Sequence, residues 1–143
     1  MLFVKGTASV NTMAKAQALI DNQGQYQTVS MSSDIISFSD GSDGNAGIFA
    51  DSATFPFDNH FAMFATRSVF IPEDGEYTFL TRSDDGVRVT IDGQVVINDD
   101  KPHPVNNANA TVYLEAGMKQ VEILYFEASG GAVVELAAAR GTE

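Results

Sequence analysis

Two adjacent carboxylates, Asp84 and Asp85, are the residues of this chain best suited to chemistry. They stand between two stretches that alternate apolar and polar residues, so a turn between strands is expected there. Neighbouring carboxylates repel each other, and a loop that keeps both either binds a cation or lies in open water. Ca²⁺ suits them because it prefers about six to eight oxygen ligands. The alternative stays open, since Asp-Asp-Gly is also an ordinary turn sequence.

The composition excludes several other kinds of site. The chain has no cysteine and only two histidines, so disulfides, thiol catalysis and multi-histidine or cysteine zinc sites are not expected. Eight basic and 19 acidic residues give a net charge of −11. That charge argues against nucleic acid or an anionic membrane surface as a partner. No apolar run reaches the roughly 18 residues of a membrane span, so no membrane insertion is expected.

Catalysis is not expected either. The paired carboxylates of a glycosidase stand about 5–10 Å apart across a sugar, whereas the side chains of two adjacent aspartates act at one small site. No recognisable nucleophile and base accompany His60 or His103. The chain is therefore predicted not to be an enzyme.

One helix and many short strands must position the acidic pair. A helix is predicted over 11–22, capped by Asn11 or Thr12, with one apolar face formed by Met13, Ala16, Leu19 and Ile20. Strands are predicted at 3–10, 26–31, 35–38, 61–70, 76–82, 87–91, 95–97, 111–114, 120–126 and 132–138. Their spacing indicates an all-β fold, a β-sandwich or barrel of short antiparallel strands with one short N-terminal helix, forming a single domain over 1–143.

The remaining polar segments are predicted to be loops. Residues 98–109 are interpreted as one polar loop, in which Asp99 and Asp100 form a solvated acidic pair and His103 lies at the tip. Asp40–Gly47 is a second acidic loop, and its spacing misses the EF-hand pattern.

Several segments together resemble the protective-antigen-like domain family, known as the PA-fourteen domain. The matching stretches are 69–79, 83–97, 114–117, 121–127 and 130–136, with looser similarity at the helix and the strand after it. The resemblance implies a sandwich or barrel that binds carbohydrate in several subgroups, among them flocculins and bacterial adhesins.

The resemblance also implies a ligand set. In the lectin subgroup two consecutive aspartates, joined by a cis peptide bond, bind one Ca²⁺, and Asp84 and Asp85 stand at that position. A second loop supplies a side chain and backbone carbonyls, which here correspond to Glu127, Ser129 and Gly131. Glu127 replaces the asparagine found in the yeast members of the family.

Sugar contacts are expected from Asp84, Asp85 and Gly130, with Arg82 and His60 as further candidates. Arg88, like Arg82, flanks the aspartates. For both arginines and for His60, an ordinary surface position is the alternative. The prediction is a Ca²⁺-dependent lectin module of a larger extracellular or bacterial cell-surface adhesin, monomeric in itself. It would bind glycans with vicinal hydroxyls, such as fucose or mannose. The alternatives are a structural or protein-interaction module and an accessory carbohydrate-binding module of a glycosidase.

Overall fold

The computed structural model describes residues 1–7, 10–30, 36–39, 60–103, 106–128 and 133–140. It contains one α-helix, α1 (Met13–Asp21), a short 3-10 helix (Gln23–Gln25) and ten strands within these ranges. The strands are β1 Leu2–Lys5, β2 Gln27–Ser30, β3 Ile36–Ser39, β4 Phe61–Ile71, β5 Gly75–Asp84, β6 Val87–Ile91, β7 Gln94–Asp99, β8 Asn106–Leu114, β9 Gly117–Glu127 and β10 Val133–Arg140.

The strands form two antiparallel sheets, which confirms the all-β prediction. The six-stranded sheet has the order β2-β1-β4-β9-β6-β7, and the four-stranded sheet has the order β3-β10-β5-β8. Inward-facing apolar side chains of both sheets meet in one core, to which Phe61, Val89 and Tyr125 contribute from one sheet and Phe79 and Val134 from the other. This arrangement is a sandwich, because each sheet hides one face against the other.

The helix packs on the outer face of the six-stranded sheet. All four residues of its predicted apolar face are buried. They meet outward-facing residues of the sheet, such as Leu124 and Phe126 of β9. Thr12 is the N-cap, since its Oγ1 accepts a hydrogen bond from the Lys15 amide at 3.2 Å. β9 is consequently apolar on both faces, as a strand covered on both sides must be. Within the described residues no helix has the length and apolar character needed to cross a bilayer.

The prediction of a polar loop over 98–109 is wrong for much of its length. β7 continues to Asp99, and β8 begins at Asn106, where it pairs with Ser83 of β5. Asparagine is a poor strand former, but β8 is an edge strand whose Asn106, Asn107 and Asn109 remain exposed. Pairing with β5 thus overrides the local preference.

Candidate functional site

Two chain crossings between the sheets lie at the same end of the sandwich. The turn after Asp84 carries the chain from β5 in the four-stranded sheet to β6 in the six-stranded sheet. The segment 128–132 crosses back, from β9 to β10. Val133, the first residue of β10, lies directly opposite Asp84 in the ladder. The acidic turn and the segment after Glu127 are therefore neighbours in the fold.

Three acidic side chains are buried at this end. Asp84 is 8% exposed, Asp85 is 4% exposed and Glu127 is fully buried. Burying a carboxylate is costly unless hydrogen bonds or a cation compensate its charge. The peptide bond between Asp84 and Asp85 is cis, the geometry that the resemblance implies for this pair.

Backbone amides hold the carboxylate of Asp85 from two sides. Oδ2 accepts a hydrogen bond from the Ala128 amide at 2.8 Å, and Oδ1 accepts one from the His103 amide at 3.0 Å. The first bond fixes the start of segment 128–132 on the acidic pair. Since Val133 fixes its end, both ends of this segment are anchored at the two aspartates.

β9 supports the turn through two further contacts. The hydroxyl of Tyr125, a fully buried residue, donates to the Asp84 carbonyl at 2.5 Å. The Phe126 amide donates to the Gly86 carbonyl at 3.0 Å. A Cβ on Gly86 would lie 2.3 Å from Cε1 of Phe126 and 2.5 Å from the Asp99 carbonyl oxygen. Gly86 is thus required by the close approach of its neighbours.

Sequence reasoning did not single out Tyr125 or Gly86 as site residues. The sequence does contain hints of both. Gly86 directly follows the acidic pair, and Tyr125 alternates with Val121 and Ile123 on the inward face of β9. That parity predicts burial, but it does not predict which carbonyl the hydroxyl reaches.

The other predicted contact residues have partners of their own. Nη1 of Arg82 lies 3.4 Å from Oε1 of Glu135, its cross-strand neighbour on β10. Arg88 donates to Oε1 of Gln17 at 3.0 Å and is therefore turned toward α1. Nδ1 of His60 accepts from the Val10 amide at 3.5 Å. Ser129, Gly130, Gly131 and the loop Asp40–Gly47 lie outside the described residues.

Asp99 and Asp100 are predicted to form a solvated pair; Asp100 is exposed, but both carboxylates have partners within the protein. Oδ2 of Asp99 lies 2.7 Å from Nε2 of His103, and Oδ1 of Asp100 accepts from the Met13 amide at 2.6 Å. His103 also donates its amide to Asp85, so it is not merely a loop tip. The segment 99–103 hence connects the acidic turn with the start of α1.

The donor set at this end suits a hard cation in part. Asp84, Asp85 and Glu127 offer carboxylate oxygens, the ligand type that Ca²⁺ prefers. Among the described residues, however, no three His, Cys, Asp or Glu side chains converge closely enough to hold a metal ion by themselves. Asp84, Asp85 and Glu127 alone therefore do not complete a metal site, and a cation here would need additional oxygen ligands.

Comparison with known proteins places this architecture in a family. The PA14 domain model matches residues 26–141. No curated protein matches the chain. Among solved structures, the PA14 domain of the MpAFP antifreeze protein is similar with a TM-score of 0.73 and 20% identity, over 96% of this chain and 79% of that one.

Two further solved structures share the fold. A PA14 sugar-binding domain from an RTX adhesin has a TM-score of 0.64 and 20% identity, over 99% of this chain and 91% of that one. An anti-sigma factor domain-containing protein from Clostridium clariflavum has a TM-score of 0.65 and 24% identity, over 82% of this chain and 37% of that one. The match to the family model spans most of the sequence, including the acidic turn and the segment after β9. The chain belongs to the PA14 domain family.

Proposed function

We propose that this domain is a Ca²⁺-dependent carbohydrate-binding module. The supporting observation is the pair of buried aspartates on which both ends of segment 128–132 are anchored. A similar fold occurs in the domain of an RTX adhesin that is described as sugar-binding. The proposed target is a cell-surface glycan, and the module would belong to an extracellular or surface-exposed adhesin.

The proposed ligands are the carboxylates of Asp84, Asp85 and Glu127 and the carbonyls of Ser129 and Gly131. A bound Ca²⁺ would offer its remaining coordination positions to two neighbouring hydroxyls of a sugar such as fucose or mannose. Residues around the aspartates hold the turn in place. Tyr125 fixes the Asp84 carbonyl, while the Ala128 and His103 amides orient the Asp85 carboxylate. A single sugar unit buries little surface, so firm attachment would depend on many copies acting together.

Asp84 is the better of the two aspartates for a test. Asp85→Ala would leave the amides of His103 and Ala128 without their acceptor, and a loss of binding could then reflect a distorted turn. Asp84→Asn changes one charge and keeps the side-chain shape. Asp74→Asn is the control: it makes the same change at an exposed aspartate, which accepts the Ala116 amide at 2.7 Å and precedes β5 at the opposite end of the sandwich.

The test is a calorimetric titration of EDTA-stripped protein with Ca²⁺, followed by a panel of monosaccharides that includes fucose and mannose. We expect one Ca²⁺ to bind, and sugar binding to require it. Asp84→Asn should weaken Ca²⁺ binding at least about tenfold and abolish sugar binding, since each charged ligand contributes to the affinity. Asp74→Asn should bind Ca²⁺ and sugar with the same affinities as the unsubstituted protein. Absence of any Ca²⁺ binding would reject the proposal.

The second candidate is a structural or protein-interaction module. One observation favours it: both oxygens of Asp85 are engaged by backbone amides, as in a turn whose acidic residue serves the fold alone. In that case EDTA would alter neither the stability of the domain nor any binding. The same titration therefore separates the two functions.

A further inference from the structure

An open groove separates the edge strands of the two sheets. β7 is the last strand of the six-stranded sheet and β8 is the last strand of the four-stranded sheet, so the sandwich is open along this side. The groove between them has a volume of about 360 Å³. This is within the range of small-ligand sites, roughly 300–1,000 Å³. Its lining consists of Val96, Ile97, Asn98, Asp99, Asn106, Ala108 and Asn109.

The lining chemistry suits a neutral, hydroxyl-rich ligand. Asn98, Asn106 and Asn109 are exposed, and each amide carries both a donor and an acceptor. A sugar hydroxyl also donates and accepts, so an amide can serve it without any net charge. Half-buried Val96 and Ala108 add a small apolar surface to the lining, which the C–H face of a sugar ring can contact.

The groove adjoins the acidic turn. Asp99, at the end of β7, pairs with Val87, which follows the turn. Asn106, at the start of β8, pairs with Ser83, which precedes it. His103 links the two places, with its ring nitrogen 2.7 Å from the Asp99 carboxylate and its amide 3.0 Å from that of Asp85. The groove and the acidic turn therefore lie side by side at the same end of the sandwich.

We propose that the groove between β7 and β8 is a second carbohydrate subsite, which binds the next unit of a neutral oligosaccharide whose first unit is held at the Asp84–Asp85 turn. This inference rests on the proposed function. It adds that the domain prefers an oligosaccharide to a monosaccharide, and that the asparagines determine the preference. The net charge of −11 favours neutral over acidic glycans.

The test compares two neighbouring asparagines of one strand. Asn106→Ala removes an amide that lines the groove, whereas Asn107→Ala makes the same change at an exposed position that does not line it. Asn98→Ala repeats the test from β7. Affinities are measured in the presence of Ca²⁺ for two series of ligands. The first is methyl α-mannoside, α-1,2-mannobiose and mannotriose, and the second is methyl α-fucoside and fucosyl-α-1,2-galactose. Thermal unfolding checks that each variant is folded.

We expect the original protein to bind a di- or trisaccharide more tightly than its monosaccharide. Asn106→Ala and Asn98→Ala should each weaken oligosaccharide binding roughly three- to tenfold, the effect of one lost neutral hydrogen bond, and leave monosaccharide binding unchanged. Asn107→Ala should change neither affinity. Equal affinity for mono- and oligosaccharides, or retention of the preference in both groove variants, would overturn the subsite.

A second readout separates failure of the subsite from failure of the proposed function. In ¹⁵N-labelled protein, the side-chain amide signals of Asn98, Asn106 and Asn109 should move when mannotriose is added. Movement in EDTA, with no effect of Ca²⁺, would support the groove as a carbohydrate site and reject the Ca²⁺-dependent function. Ca²⁺-dependent monosaccharide binding without movement would reject only the groove. A hexapeptide of alternating Thr and Val tests for strand pairing at the sheet edge. If it shifts the asparagine side-chain signals and sugars do not, the carbohydrate assignment is overturned.

Discussion

At the scale of single residues, the acidic turn depends on a neighbour that carries no functional group. Gly86 lies where the ring of Phe126 and the backbone of Asp99 leave no room for a Cβ. Its carbonyl accepts the Phe126 amide, so its position is fixed by β9 as well. The third residue of Asp84-Asp85-Gly86 is therefore a packing requirement of the site.

Gly86→Ala is expected to lower the free energy of unfolding by about 1–3 kcal/mol, the usual cost of overpacking. The contact with the Asp99 carbonyl makes relief difficult, because a backbone atom must move. Urea denaturation in EDTA measures the effect. Gly24→Ala is the control, since a Cβ there meets no atom within 4 Å. An unchanged urea midpoint for Gly86→Ala would contradict this account of the turn.

At the scale of elements, local patterns predicted most of the framework. The buried face of α1 and the paired strands β5, β6 and β9 follow from apolar periodicity, which depends only on neighbouring residues. The start of β8 could not be predicted in this way, because Asn106, Asn107 and Asn109 have low strand preference and the pairing of this segment with β5 depends on distant residues.

The site shows the same division between local and distant information. The acidic pair and its turn are visible in the sequence, and the resemblance adds the segment after β9. The hydrogen bonds that hold the pair come from His103, Tyr125 and Ala128, which lie 18 to 43 residues away in the chain. Such contacts depend on how the two sheets pack, and no local pattern encodes them.

The start of α1 provides a test of one long-range contact. Asp100, 87 residues after Met13, accepts the Met13 amide at 2.6 Å, while Thr12 caps the Lys15 amide. Asp100→Ala should lower the free energy of unfolding by about 1 kcal/mol, because a helix N-terminus loses a charged acceptor. Chemical denaturation measures the change. Lys101→Ala, at the neighbouring exposed position, should leave stability unaltered; an equal loss in both variants would argue against a specific cap.

At the scale of the whole molecule, the charge opposes compaction. Nineteen acidic and eight basic residues leave an excess of negative charge on one sandwich, and repulsion among exposed carboxylates destabilises the folded state at low ionic strength. The two sheets share one core, so this repulsion acts on a single cooperative unit.

Raising NaCl from about 10 mM to about 0.5 M in EDTA should therefore increase Tm by roughly 3 °C, which corresponds to about 1 kcal/mol. KCl should give the same increase, because screening does not distinguish the two cations. Differential scanning calorimetry would measure Tm and show a single transition. A Tm that falls with salt, or a second transition, would contradict the whole-molecule account.

The segment 99–103 has a consequence for how occupancy of the acidic turn can be detected. Its first part accepts the Met13 amide through Asp100, and its last residue donates to Asp85. We expect a ligand that orders Asp85 to order this segment as well, so that the Met13 amide exchanges its proton with solvent more slowly. The first turn of α1 would thus serve as a spectroscopic indicator of binding, although the helix itself contributes no ligand.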